Sequence, residues 1–237
     1  MFNESSDVYD LIYSFKDYEK ESIEISKVIT SKYPNCKSIL DVGCGTAEHH
    51  KYLKGKFSID GIDLNPKFIE IAQKKNPAGK YSLADMANFD LQKKFDVILC
   101  LFSSIGYLST LAALQSTLQF FNKHLHLNGL VIVEPWFTKE NYHNGKINML
   151  TYDKEDIKIC RIVHSYAEND FSILHFHYLV ATPTKGFKHF DEIHQLRMFS
   201  KDEIIDVFKQ TGYDVEFDSK GLTGRGLYYG VKRTDII

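Results

Sequence analysis

The sequence predicts a doubly wound α/β sheet with a small antiparallel β-sheet inserted late in the chain. Three observations carry that expectation. Short apolar runs of strand length alternate with helical stretches up to Glu134, the pattern of parallel strands joined by crossover helices. One of those runs leads directly into a glycine turn, Gly43-Cys44-Gly45. Beyond Lys146 the rhythm changes to longer β-rich runs joined by polar turns, as in an antiparallel sheet.

Taken in order, Tyr18 to Ile29 places apolar residues at helical spacing, and Pro34-Asn35 closes that segment. Ser38 to Gly43 reads as a buried strand, and Lys56 to Asp63 repeats it. Pro66 then opens a helix at the position where its missing N–H has no partner to lose. Phe95 to Leu101 and Gly129 to Glu134 continue the strands, with a helical stretch from Thr110 to Leu125 between them. In the insertion, Ile157 to Val163 and Ser172 to Val180 have strand length, joined by turns at 168–170 and 183–186. Ser200 and Glu203 form the two ends of a capping box that opens a helix through Gln210, with Gly212 just past its end. Tyr213 to Phe217 and Leu227 to Val231 supply the last two strands. No linker rich in Pro, Gly or Ser divides the chain. The expectation is one domain over 1–237: an N-terminal lid (1–35), a cofactor-binding core (36–145), the β insertion (146–199) and a C-terminal return (200–237).

Composition narrows the function. At 237 residues the chain can bury a full core without metals or disulfides. A net charge of −2 argues against nucleic acid and membrane surfaces as partners. The first ten residues are acidic and polar, unlike a signal peptide, and no apolar run approaches the roughly 20 residues of a membrane span. Cys36, Cys44, Cys100 and Cys160 lack any paired spacing and read as buried thiols in a reducing cytoplasm.

The motif with most chemistry is Asp41-Val42-Gly43-Cys44-Gly45-Thr46, set between a strand and a helix. Gly43 and Gly45 permit a tight turn on which a ligand can touch bare backbone. Asp63 ends the next strand, ahead of Leu64, where a carboxylate accepts both hydroxyls of a ribose. Asp85 and Met86 lie between the Asp63 and Phe95 strands, where a further short strand ends, and suit an adenine amino group and its ring face. Leu101 ends the Phe95 strand, and Phe102, Ser103, Ser104 and Tyr107 follow it, at the mouth where ligands sit in such sheets. A nicotinamide dinucleotide is disfavoured, because Ala47-Glu48 replaces the third glycine and sets a carboxylate beside the phosphates. A cationic, phosphate-free donor fits instead: S-adenosyl-L-methionine.

Further motifs sharpen this. Lys16-Asp17-Tyr18, Asp41 to Thr46, Asp85-Met86, Phe102-Ser103-Ser104-Ile105-Gly106, Val133-Glu134-Pro135-Trp136 and Gly224-Arg225-Gly226-Leu227 recur in order. With Tyr9-Asp10, they resemble the class I methyltransferases that N,N-dimethylate a dTDP-linked 3-amino-3,6-dideoxyhexose in macrolide sugar pathways. The resemblance implies a Rossmann-like sheet and donor contacts from Gly43, Gly45, Asp63, Asp85 and Met86. It also implies that Tyr18 and Phe102 close over the methionine end, and that Tyr9 orders a lid. Arg225 is implied to bind the sugar nucleotide's diphosphate, a task suited to a planar cation with several donors. A homodimer is implied as well. Tyr107 stands where the family has histidine, and Ala47 where it has glycine.

Methyl transfer needs nucleophile, carbon and sulfur held in line, and an amine acceptor must arrive unprotonated. Tyr107, Glu134 and His177 are the candidate catalytic groups. Tyr107, with a reference pKa near 10, suits hydrogen bonding to the sugar better than proton abstraction. Glu134 either orients the ammonium or satisfies buried backbone. His177 shares a strand face with His175, as zinc ligands can, but no third ligand is near, so no metal is expected. Tyr9, Tyr13, Ser103, Ser104, Trp136 and Arg225 are the expected acceptor-side residues. Two alternatives to an amino-sugar N-methyltransferase remain open at this point. One is an N- or O-methyltransferase for another small polar metabolite; the other is a donor-binding protein without turnover.

Overall fold

The computed structural model describes residue 2 and residues 4–235. Seven strands form the main sheet: β1 (Ser38–Val42), β2 (Ser58–Asp63), β3 (Tyr81–Leu83), β4 (Phe95–Cys100), β5 (Leu125–Val133), β10 (Tyr213–Asp218) and β11 (Leu227–Lys232), in spatial order 10-11-5-4-1-2-3. Strands β1 to β5 run parallel; β11 returns antiparallel between β5 and β10. The order reverses between β1 and β4, which opens a crevice at their carboxyl ends.

Alternate residues of the central strands enter two cores, one on each face. Leu40, Val42, Ile98, Cys100, Val131 and Val133 pack against α5 (Leu111–Lys123) and α6 (Lys201–Gln210). Ile39, Val97, Leu99 and Ile132 pack against Ile25 and Ile29 of α2 (Tyr18–Lys32). Burial on both faces explains why these strands read as continuous apolar runs. The helix ends follow local chemistry: Asp17 accepts the Lys20 N–H at the start of α2, and Asn65 caps α4 (Pro66–Lys75). Ser200 and Glu203 complete the expected capping box.

Three boundaries differ from expectation. The segment after the glycine turn makes only one helical turn, α3 (His50–Leu53), and a further one-turn helix, α1 (Tyr9–Ile12), precedes α2. Strand β5 begins at Leu125 rather than Gly129, because its first residues pair with Phe95 across a register shift. Cys36 and Cys160 are only half-buried, whereas Cys44 and Cys100 are buried; all four are free thiols.

The insertion is a four-stranded antiparallel sheet: β6 (Lys146–Asp153), β7 (Lys158–Glu168), β8 (Phe171–Thr182) and β9 (Gly186–Arg197). Its inner face buries Ile159, Val163, Phe176, Tyr178 and Phe190 against Val8 and Ile12 of the N-terminal segment. That segment is latched from below. Glu192 on β9 accepts the Glu4 and Ser5 N–H groups at 2.9 and 3.1 Å and the Ser5 hydroxyl at 2.6 Å. Burial alone would raise the Glu192 pKa, but hydrogen bonds from His194, the Ser5 hydroxyl and the two backbone N–H groups hold it down to about 2.

Candidate active site

One cavity of about 950 Å³ joins the crevice of the main sheet to the inner face of the small sheet, roofed by the N-terminal segment. That volume lies near the upper end of the about 300–1,000 Å³ usual for small-molecule sites, enough for two ligands side by side.

The crevice half is built by strand ends. Gly43 takes φ +71°, and a Cβ there would meet Ser104 at 2.8 Å; its N–H and that of Cys44 bond the Ile62 carbonyl, which closes the turn. Gly45, at φ +54°, has open space where a Cβ would stand, so its surface is bare to a ligand. Asp63 accepts the Gly45 N–H at 2.9 Å on one oxygen and the Asn65 N–H at 2.8 Å on the other. Each oxygen keeps a lone pair for a ribose hydroxyl. Burial raises the Asp63 pKa, and these backbone bonds only partly offset it. Asp41 is held by His50 at 2.9 Å, and His50 is in turn bonded to the Tyr81 hydroxyl at 2.7 Å. Thr46 donates to Asp10 at 2.5 Å, tying the turn to α1. Asp41, Gly43, Gly45, Thr46 and Asp63, with Leu64, Met86, Leu101 and Phe102, line the cavity.

Ala47 has φ +62°, the left-handed conformation that favours glycine. The backbone of this turn therefore keeps a glycine conformation while carrying an alanine. Ala47→Gly is expected to raise stability by about 1 kcal/mol, the left-handed penalty less glycine's greater unfolded entropy. A urea titration with unchanged m-value measures it; no gain would mean that contacts of the alanine methyl offset the strain.

The turn after β4 holds two consecutive left-handed residues, Phe102 (φ 50°) and Ser103 (φ 62°). Such strain persists only where neighbours over-determine it. Here Glu134 accepts the Phe102 N–H at 2.7 Å, and the Ser103 hydroxyl donates to the Pro135 carbonyl at 2.7 Å. Glu134 is 0% exposed and also accepts from the Thr223 hydroxyl at 2.6 Å and the Arg225 guanidinium at 2.9 Å. It does not line the cavity; it braces two wall segments that do. Ser103 is likewise buried behind the wall, since its hydroxyl is spent on Pro135. Asp85 is exposed beside the cavity rather than lining it, and accepts the Ala87 N–H at 2.8 Å.

The other half is aromatic. Tyr9, Tyr13, Tyr18, Tyr107 and Trp136 line it, with Ser104 between the halves and Arg225 and Thr223 beside Trp136. The Tyr13 ring stands edge-on to Phe102 at 5.2 Å. Tyr107 is hydrogen-bonded to His194 Nδ1 at 2.7 Å, and His194 Nε2 lies 3.5 Å from Glu192. Burial pushes the Tyr107 pKa well above the usual phenol value, so the hydroxyl stays protonated and is no base.

His177 is elsewhere. Strand alternation turns Phe176 and Tyr178 inward, so His177 lies exposed on the outer face beside His175 and His189. Two buried histidines stand at the site, His49 in the cavity wall and His194 behind it on Tyr107, and sequence reasoning missed both. Arg161, Lys16 and Glu21 were also missed as site residues. Lys16 and Glu21 form an ion pair in the cavity wall, and His49 bonds Glu21 at 2.9 Å. Burial raises the Glu21 pKa less than its hydrogen bonds from His49 and Lys16 lower it. Among the described residues, no group of three or more His, Cys, Asp or Glu side chains could hold a metal.

A switch-point crevice with a glycine turn and a carboxylate at the end of the next strand, opening into an aromatic half, is the arrangement of a class I S-adenosylmethionine-dependent methyltransferase. The methyltransferase-domain family model matches residues 39–129. Over 231 residues the chain is 34% identical to dTDP-3-amino-3,6-dideoxy-α-D-glucopyranose N,N-dimethyltransferase of Streptomyces fradiae, covering 96% of this chain and 91% of that one. The crystal structure of Streptomyces venezuelae DesVI matches with a TM-score of 0.91 at 34% identity, covering 97% and 98% of the two chains. SAM-bound CalS10, an amino pentose methyltransferase from Micromonospora echinaspora, matches at a TM-score of 0.86 and 27% identity, covering 95% and 96%. The chain belongs to the family of the dTDP-amino-sugar N,N-dimethyltransferases.

Proposed function

We propose that the protein transfers methyl groups from S-adenosyl-L-methionine to the amino nitrogen of a nucleotide-diphosphate-linked aminodeoxysugar. The observation that carries this is the continuity of one cavity: the Gly45–Asp63 crevice opens directly into an aromatic half flanked by guanidinium groups. When bound, the donor supplies a methyl group on a sulfonium, displaced in line by the amine.

The chain's own residues do the rest. Asp63 accepts the ribose hydroxyls, Asp85 meets the adenine amino group at the rim, and Met86 packs against the ring. Tyr18 and Phe102 close over the methionine end, with aromatic faces that favour a nearby cation. Tyr9 and Tyr13 roof the reacting centre and keep water from it. Tyr107, fixed by His194, orients the acceptor through its hydroxyl. Glu134 acts as a positioning residue, holding the Phe102 turn and Arg225. Arg225 meets the diphosphate with its Nε, which is buried and without a hydrogen-bond partner.

The outer face of the small sheet leaves Ile147, Met149, Phe187 and Ile193 exposed by 62–82%. Apolar patches of this kind mark interaction surfaces, and our reading is a homodimer that covers this one. No helix among the described residues is long and apolar enough to cross a membrane; with four free thiols, this supports a cytoplasmic enzyme.

Mass spectrometry after incubation with labelled donor and a panel of nucleotide-linked aminosugars tests the reaction. A product heavier by one or two labelled methyl groups is expected; donor binding with no product across the panel would sink the substrate assignment. Arg225→Ala is expected to raise the acceptor KM at least tenfold, as for a lost charge-assisted hydrogen bond, with the donor KM little changed. Equal rises in both would limit Arg225 to bracing Glu134.

A further inference from the structure

The chain has four arginines. Arg197, Arg225 and Arg233 each lie within 4.0 Å of an acidic side chain. Arg161 has no acidic partner among the described residues, although its Nε and Nη1 atoms are buried and make no hydrogen bond. It sits on the inner face of β7, in line with the apolar residues Ile159 and Val163. Its neighbours across the ladder are Leu150 and Tyr178, neither an anion at neutral pH. Two rings hold the guanidinium in place, Tyr13 at 5.1 Å and Phe176 at 5.0 Å, and the side chain borders the cavity. The carboxylate nearest in kind, Glu192, faces the same way but is occupied by Ser5, the Glu4 N–H and His194.

A guanidinium with two N–H-bearing nitrogens buried and unbonded is unfavourable to the fold unless an anion arrives with a ligand. Rings pack against it, but they cannot accept its in-plane N–H groups, which match an oxyanion. The donor brings a single carboxylate, beside a sulfonium that a nearby cation repels, and Arg161 stands on the small sheet rather than at the glycine crevice. The acceptor brings a diphosphate. We infer that Arg161 is an oxyanion-binding residue of the acceptor site, and that its ligand is a phosphate oxygen of the nucleotide-linked substrate. This inference rests on the substrate reading above and adds a second arginine to it. Because Tyr13 ends α1, capture of the diphosphate also settles the N-terminal roof over the site.

The test is calorimetric titration of the full-length protein with thymidine 5′-diphosphate, and separately with S-adenosylhomocysteine, for wild type, Arg161→Met and Arg161→Lys. Arg161→Met is expected to weaken the diphosphate Kd roughly 10- to 100-fold, with the homocysteine Kd within about twofold and Arg161→Lys intermediate. Its Tm without ligand is expected to equal or exceed that of wild type, because an uncompensated buried charge has gone. Diphosphate binding that survives Arg161→Met overturns the inference while leaving the substrate reading intact. A homocysteine Kd weakened as much would assign the guanidinium to the donor's carboxylate. A sharp fall in Tm for both variants would make Arg161 a structural brace. Wild type that binds the homocysteine but not the diphosphate overturns the substrate reading and this inference together.

Discussion

Glu134→Ala is expected to destabilise the protein by about 3–5 kcal/mol, the range for breaking a buried ion pair from one side. Its carboxylate is buried and serves three donors at once: the Phe102 N–H, the Thr223 hydroxyl and Arg225. Removal leaves the guanidinium without its acid and the Phe102–Ser103 turn without the bond that holds its left-handed backbone. In a chain of this size the melting temperature should fall by roughly 10 °C, and methyl transfer should drop with it. A double variant, Glu134→Leu with Arg225→Met, separates the two effects. It should recover much of the lost stability, since apolar replacement of a buried pair is often neutral, while activity stays low because the turn remains unheld. A single variant as stable as wild type would show that the brace is not there.

The second large effect concerns the donor. On the proposed reading Asp63→Ala removes the acceptor for both ribose hydroxyls, and bonds to a charged group are worth about 1.5–3 kcal/mol. Donor affinity, read by calorimetry, should weaken roughly 10- to 100-fold. The same carboxylate sets a pH dependence whose sign follows from burial. Its folded pKa is raised above the unfolded value, so ionising it opposes folding as pH rises through the folded pKa. Loss of the buried charge therefore offsets part of what Asp63→Ala loses with the two backbone hydrogen bonds, and a melt run beside the calorimetry separates lost affinity from unfolding. Donor binding by wild type should decline as pH falls through that raised value, above the usual carboxylate range. Unchanged affinity in Asp63→Ala would remove Asp63 from the donor site.

Much of this was legible in the residues. Buried parallel strands must be apolar on both faces, so β1, β2, β4 and the later part of β5 stand out as short continuous runs. Caps are equally local: Ser200 and Glu203 bond each other's backbone within one turn of chain. The glycine turn and Asp63 are eighteen positions apart, yet consecutive parallel strands bring them together by topology alone, and the 2.9 Å bond between them follows. Ala47 shows the limit of such local reading. The missing glycine was visible, but that the backbone keeps φ +62° without it was not.

What the sequence by itself determined is the layered α/β sheet, the inserted β-sheet, the glycine turn beside Asp63 and the class of chemistry, because each depends on periodicity or on contacts between adjacent elements. The tertiary structure alone decided which face of an inserted strand lines the cavity. Alternation shows that His175 and His177 share a face, but only docking of the N-terminal segment on the other face sends them outward and Phe176 and His194 inward. It decided too that Glu134 braces rather than reacts, since its partners Phe102 and Arg225 come from distant chain segments. Arg161 owes its meaning to the same cause. A charge on a strand face is ordinary in a sequence; a charge that no acidic side chain among the described residues neutralises is visible only once the chain has folded around it.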